Sequence, residues 1–288
     1  MRKFILQSAL FVLVCLILLI CFHLTIQNLR NDYLKLPENV NKVFLGNSTF
    51  EYGINDSRIP NAINFAQNAE PIDITYAKIK LLQKYNNSID TVFVELDDIN
   101  LYNDRFASVL SNSIYFDAYD KADWQANLQM YELSRFFSFF AHAYDVIKVR
   151  PIVENHFKSH NIECLGVGGY QDLFRNKLDE DIMRFHSETA SAKKTKLVPT
   201  GVDYYFTKIV DFCAHKNLTI IFLNTPKHKT AWADTTYREY WSEKFPSIRF
   251  IDCTQMNLPD SCFADREHLN YRGARLFSDY LTKTLRDE

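Results

Sequence analysis

The chain has 288 residues, 47% of them hydrophobic and 15% aromatic, and a formal net charge of −2. That length supports a full core in one large or two modest domains. The near-neutral charge, with no basic patch, argues against nucleic acid as a partner.

From Phe4 to Ile26 there is no Asp, Glu, Lys or Arg. A helix of that length spans about 35 Å, enough to cross a hydrocarbon layer of about 30 Å. Arg2 and Lys3 precede it, and no basic residue follows until Arg30. The positive-inside bias therefore puts the N-terminus in the cytoplasm and everything after about Gln27 outside the cell membrane. A cleaved signal peptide would need small residues near its end, where Cys21, Phe22, His23 and Leu24 stand. Val14 and Ile20 are too large to precede a lipidated cysteine at Cys15 or Cys21. The expected organisation is a cytoplasmic tip (1–3), a single-pass anchor (4–26), a polar stalk (27–40) and an extracytoplasmic domain (41–288).

Beyond the stalk, short apolar runs alternate with amphipathic stretches. Strands are expected at Lys42–Gly46, Ala62–Ala66, Thr91–Leu96, Leu218–Leu223 and Ile248–Ile251. Helical spacing marks Ile74–Tyr85, Tyr204–His215, Thr235–Lys244 and Tyr271–Leu285. This alternation predicts an α/β fold with a mostly parallel central sheet flanked by helices. Between about 104 and 200 the rhythm breaks into an aromatic-rich, helical insertion, which includes Phe136, Phe137, Phe139, Phe140 and Tyr144. The same stretch holds Gly166, Gly168 and Gly169, read as a flexible loop, with Tyr170 beside it. Four cysteines lie beyond the anchor, at 164, 213, 253 and 262; Cys253 and Cys262 could close a short loop, which spacing alone does not decide.

Two segments carry the chemistry. The first strand runs through Gly46-Asn47 into Ser48, and Asp265-Arg266-Glu267-His268 precedes the last helix. A serine hydroxyl needs a base to take its proton during attack, and histidine titrates near the working pH. The imidazole needs a carboxylate to fix its tautomer, and one helix-like turn would bring Asp265 to the same side as His268. A serine at the carboxyl end of a strand stands in the crevice where open α/β sheets bind ligands.

These two segments resemble the first and last signature blocks of the SGNH/GDSL hydrolase superfamily. The match is densest at Asp265-Arg266-Glu267-His268-Leu269-Asn270-Tyr271-Arg272-Gly273-Ala274, which is similar to the membrane-anchored branch concerned with polysaccharide O-acylation. The resemblance covers roughly residues 41–100 and 201–288 and implies the flavodoxin-like three-layer fold of that superfamily. It assigns Ser48 as nucleophile, His268 as general base and Asp265 as its orienting carboxylate, with Asn47 in place of the usual aspartate. It places an oxyanion donor at Asn68, where the family has glycine. Asn100 falls one residue late for the other donor, a side-chain asparagine. A lost donor of this kind typically costs about 10²–10³ in turnover.

The activity implied is an esterase or O-acyltransferase acting on acyl groups of an envelope carbohydrate, or on a small acyl ester, without cofactor or metal. The rival readings are an SGNH-fold binding or scaffold protein without catalysis, and a partner subunit of an integral membrane acyltransferase. Asp97 and Asp98 read as a solvated turn, and His142, His156, His160 and His186 show no metal-binding spacing.

Overall fold

The computed structural model describes residues 1–68, 70–96, 115, 117–123, 125, 168–188, 200–231 and 236–286. The aromatic run at 136–144, Asp97, Asp98, Asn100, Cys164, Gly166 and three of the four insertion histidines lie outside these residues.

The chain opens with α1 (Arg2–Tyr33), then β1 (Lys42–Leu45), α2 (Ser48–Gly53), β2 (Ala62–Asn64), α3 (Ile72–Tyr85) and β3 (Thr91–Glu95). The described C-terminal half holds α4 (Leu178–Glu188), α5 (Thr200–His215), β4 (Thr219–Asn224), α6 (Thr236–Lys244), β5 (Arg249–Asp252) and α7 (Tyr271–Thr284). The strands form one parallel sheet in the order β2-β1-β3-β4-β5, with Val43 opposite Ile63 and Val92, and Val92 opposite Ile220. The architecture is thus α/β, a five-stranded parallel sheet flanked by helices.

Strand alternation sorts the core into two layers. Val43, Leu45, Val92, Val94, Ile220 and Phe222 pack on one face with residues of α3 and α5, including Ile79, Leu82, Phe206 and Ile209. Phe44, Phe93, Ile221 and Leu223 pack on the other with Phe50 of α2 and Phe277 and Leu281 of α7. The rings of Phe44 and Phe93 stack at 4.3 Å across β1 and β3. Because the strands are all parallel, their carboxyl ends gather along one edge, which is where the site forms.

The N-terminal region departs from the expected stalk. The helix continues to Tyr33, and the chain then docks rather than hanging free. Leu34 is fully buried and Val40 nearly so. Asn86, at the end of α3, donates to Leu34 O at 2.6 Å and accepts from Leu36 N–H at 2.7 Å. Two apolar side chains and one amide are enough to fasten a polar segment. Among the described residues, no helix is long and apolar enough to cross a membrane. The Cys253 and Cys262 thiols are free and buried in the second core layer.

Candidate functional site

Ser48 is the first residue of α2, which follows β1 after a two-residue turn. Asn47 caps that helix: its Oδ1 accepts from Thr49 N–H at 2.9 Å and its carbonyl from Glu51 N–H at 3.0 Å. The turn is also held from below by Glu95, the last residue of β3. That buried carboxylate accepts from Asn47 N–H through one oxygen and from the Thr49 hydroxyl through the other. An aspartate at position 47 would set a second carboxylate against Glu95; asparagine caps the helix without adding that charge.

Glu95 also explains Gly46. A Cβ at this position would lie 2.5 Å from Glu95 Cβ, and closer still to its carboxylate. Gly46→Ala is expected to destabilise the fold by about 1–3 kcal/mol through overpacking and to slow any reaction of Ser48. Thermal melting of the full chain checks this; an unchanged melting temperature would mean that Glu95 can swing clear.

Asp265 and His268 sit in a tight bend closed by a bridge between Phe263 and Leu269, not in a helical turn. Asp265 Oδ1 accepts from the N–H groups of Glu267 and His268, both at 2.9 Å, so the carboxylate builds the bend it belongs to. The same oxygen meets His268 Nδ1 at 2.9 Å, and His268 Nε2 meets Ser48 Oγ at 2.8 Å. Tyr52 of α2 lies edge-on to the imidazole, with ring centres 5.8 Å apart. Burial pushes the Asp265 carboxyl up. The hydrogen bond and charge of His268, the Glu267 N–H and the Arg175 guanidinium outweigh burial and leave it well below the ordinary carboxylate range.

The loop after β2 completes the edge. Asn64 is buried, donates to Phe50 O and Ile54 O, and accepts from Ala66 N–H at 2.9 Å. Gln67 N–H donates to Gly46 O at 3.0 Å, which ties this loop to the Ser48 turn. Asn68 follows in the turn and is exposed. Among the described residues, neither the Asn68 N–H nor the Ser48 N–H has a hydrogen-bond acceptor. Asn100, the other expected donor, lies outside the described residues.

Residues 168–177 run over this edge as an extended strap. Gly168 has φ +89°, and a Cβ there would collide with the carbonyls of Phe65 and Ala66. The loop expected at Gly168 and Gly169 is therefore a close backbone crossing rather than a free segment. Tyr170 is half-buried and donates to Asp172 at 2.6 Å. A cleft of about 360 Å³ opens beside His268, lined by charged residues of the strap, α4 and the Asp265–His268 bend.

Glu95 and the strap were not visible as site elements in the sequence. Glu95 left one signal, a lone charge in the apolar run Thr91–Leu96. Fold and site together define an open parallel α/β domain in which a serine, a histidine and an aspartate are hydrogen-bonded in series at the carboxyl ends of the strands. A family model that carries no functional description matches residues 180–288. No curated protein matches the chain. A solved structure from Streptococcus pneumonia, provisionally described as a platelet activating factor, is similar at 11% identity over 97% of this chain and 98% of its own, with a TM-score of 0.44. Likeness at that distance carries no argument about activity.

Proposed function

We propose that the chain is a membrane-anchored serine esterase or O-acyltransferase acting on acyl groups of an envelope carbohydrate. The observation that carries the reading is the unbroken series Ser48 Oγ, His268 Nε2, His268 Nδ1 and Asp265 Oδ1, with steps of 2.8 and 2.9 Å. Ser48 attacks the acyl carbon while His268 takes its proton, and Asp265 holds the imidazole in the tautomer that can accept it. The tetrahedral oxyanion is met by the Ser48 and Asn68 N–H groups. His268 returns the proton to the leaving alcohol, and then deprotonates water or a sugar hydroxyl that releases the acyl group.

Anchoring through residues 4–26 is part of the proposal. It draws on the uncharged stretch of sequence and on the exposure of Phe4, Leu6, Leu10, Phe11 and Ile17 along α1, apolar surface that none of the described residues covers. The domain would then stand outside the cytoplasm, in the periplasm or at the cell surface. A second reading, a non-catalytic SGNH-fold binding protein or a partner subunit of an integral membrane acyltransferase, draws on Asn68, whose side chain stands where the family has glycine.

The full chain in detergent is treated with a fluorophosphonate and the modified peptide is identified by mass spectrometry. Covalent capture at Ser48 in the wild type, absent in Ser48→Ala, is the expected result. No capture in folded protein would sink the catalytic reading and leave the binding protein.

A further inference from the structure

The two oxygens of Asp265 have different duties. Oδ1 serves the bend and His268, whereas Oδ2 accepts from the guanidinium of Arg175. Arg175 is distant in sequence and reaches the site only because the strap delivers it there. The strap is fastened at four places along its length. Gly169 N–H donates to Ala66 O at 3.0 Å, and Gln171 N–H to Glu51 O at 3.0 Å. Tyr271 N–H donates to Leu173 O at 3.2 Å, and Lys177 N–H to Ala264 O at 2.7 Å. The Gln171 amide adds a side-chain bond to Glu51 at 2.8 Å. The anchoring points are the loop after β2, helix α2, the first residue of α7 and the bend that carries Asp265. A segment bonded to every part of the site holds its side chains in fixed register with it.

We propose that Arg175 is a positioning residue that acts on Ser48 and His268 through Asp265. This rests on the serine acyl-transfer reading above. The guanidinium stays charged at every working pH, so its pairing with the carboxylate persists. Holding Oδ2 fixes the plane of the carboxylate, whose terminal torsion is otherwise broad. Oδ1 then stays aligned on Nδ1, and the imidazole on Ser48. The positive charge also favours the ionised form of the Asp265 carboxylate.

The other charges around the pair are matched in sign. On the bend itself, Glu267 pairs with Lys227 at 3.3 Å and Arg266 with Asp181 of α4 at 3.2 Å. Lys177 of the strap and Glu180 and Arg184 of α4 complete the cleft wall; from α2, Ser48 and Tyr52 meet the imidazole and Glu51 bonds Gln171 of the strap. Arg175 is the cation whose partner is the carboxylate of the series itself.

The test uses the full chain in detergent and the pH dependence of Ser48 inactivation by a fluorophosphonate, with the bound step and the chemical step resolved. Arg175→Gln is expected to leave the initial binding constant unchanged and to slow the chemical step about 10–100-fold, the cost of a misaligned group. The acid limb of the rate profile should move upward once the neighbouring positive charge is removed. Arg175→Lys should restore the limb but only part of the rate, because an ammonium supplies charge without the planar fork. Arg175→Met, which keeps the apolar stem, serves if the glutamine variant folds poorly. A purely structural role would lower the fraction of labelled protein without moving the limb, and that result overturns the proposal. An unreactive wild type overturns the serine reading itself; a reactive wild type matched by Arg175→Gln overturns only the role of Arg175.

Discussion

Asp265→Asn is expected to cost less than Asp265→Ala, and less than the roughly 10⁴-fold loss that follows when a histidine is left in the wrong tautomer. The reason lies in what converges on Oδ1. Three donors meet there, the N–H groups of Glu267 and His268 and the His268 ring nitrogen. An asparagine must place its carbonyl oxygen at that point, because its amide nitrogen would face three donors. The bend and the tautomer then survive. What is lost is the negative charge that stabilises the imidazolium, and the contact with Arg175, which would now face an NH₂ group. Asp265→Ala removes all of this and leaves the bend unbuilt. His268→Ala removes the base and should slow phosphonylation of Ser48 by about 10²–10⁴-fold. Rate constants for the three variants on the full chain decide the matter. Equal losses for asparagine and alanine would mean that charge, rather than the architecture of the bend, dominates at Asp265.

Much of the sheet could be read from the sequence because its strands are short apolar runs between turn residues. Thr91–Glu95 and Thr219–Asn224 are buried on both faces, so they read as continuous β-branched and aromatic stretches. Ser48 and His268 could be paired because one follows the first strand and the other precedes the last helix, and parallel topology carries both to the same edge. The rest depended on contacts that have no period. Helix α2 has six residues, too few for an amphipathic pattern, and its one local signal is the cap at Asn47. Asp265 and His268 meet through a side-chain-built bend, although their three-residue spacing suggested a helical turn. The strap is extended and fixed by single backbone bonds to four distant places, which no composition announces. At the N-terminus, Leu34 and Val40 are buried apolar residues among polar neighbours, too few to give a pattern, so docking there looked like a stalk.

Loss of Lys78 should be the most damaging single change away from Ser48 and His268. Lys78 of α3 and Glu70 are paired with side-chain exposures of 0% and 1%, and Thr75 donates to the same carboxylate at 2.8 Å. Burial pushes Glu70 up and Lys78 down, each toward its neutral form, and their mutual attraction opposes this. Breaking one side of such a pair costs about 3–5 kcal/mol, which lowers the melting temperature of a domain this size by roughly 10 °C. The deficit of Lys78→Met should also depend on pH. Glu70, left alone, keeps a folded-state pKa above its unfolded value, so the folded form holds a proton that the unfolded chain has released. That stabilising contribution is present in mild acid, near the unfolded pKa, and is lost as pH rises through the folded value. The variant should therefore be less impaired at about pH 5 than at pH 8, and Glu70→Gln added to it should flatten the dependence. Denaturant titrations at the two pH values measure this, and a flat deficit in the single variant would show that Glu70 is not the group responsible. The effect should reach the site as well. Lys78 Nζ donates to Phe65 O at 2.8 Å, and Phe65 begins the loop that carries Asn68. Without that donor the carbonyl is buried unpaired and the loop loses its hold from below. Phosphonylation of Ser48 in Lys78→Met should then be slower than the remaining folded fraction accounts for, whereas a rate that simply tracks the folded fraction would confine Lys78 to stability.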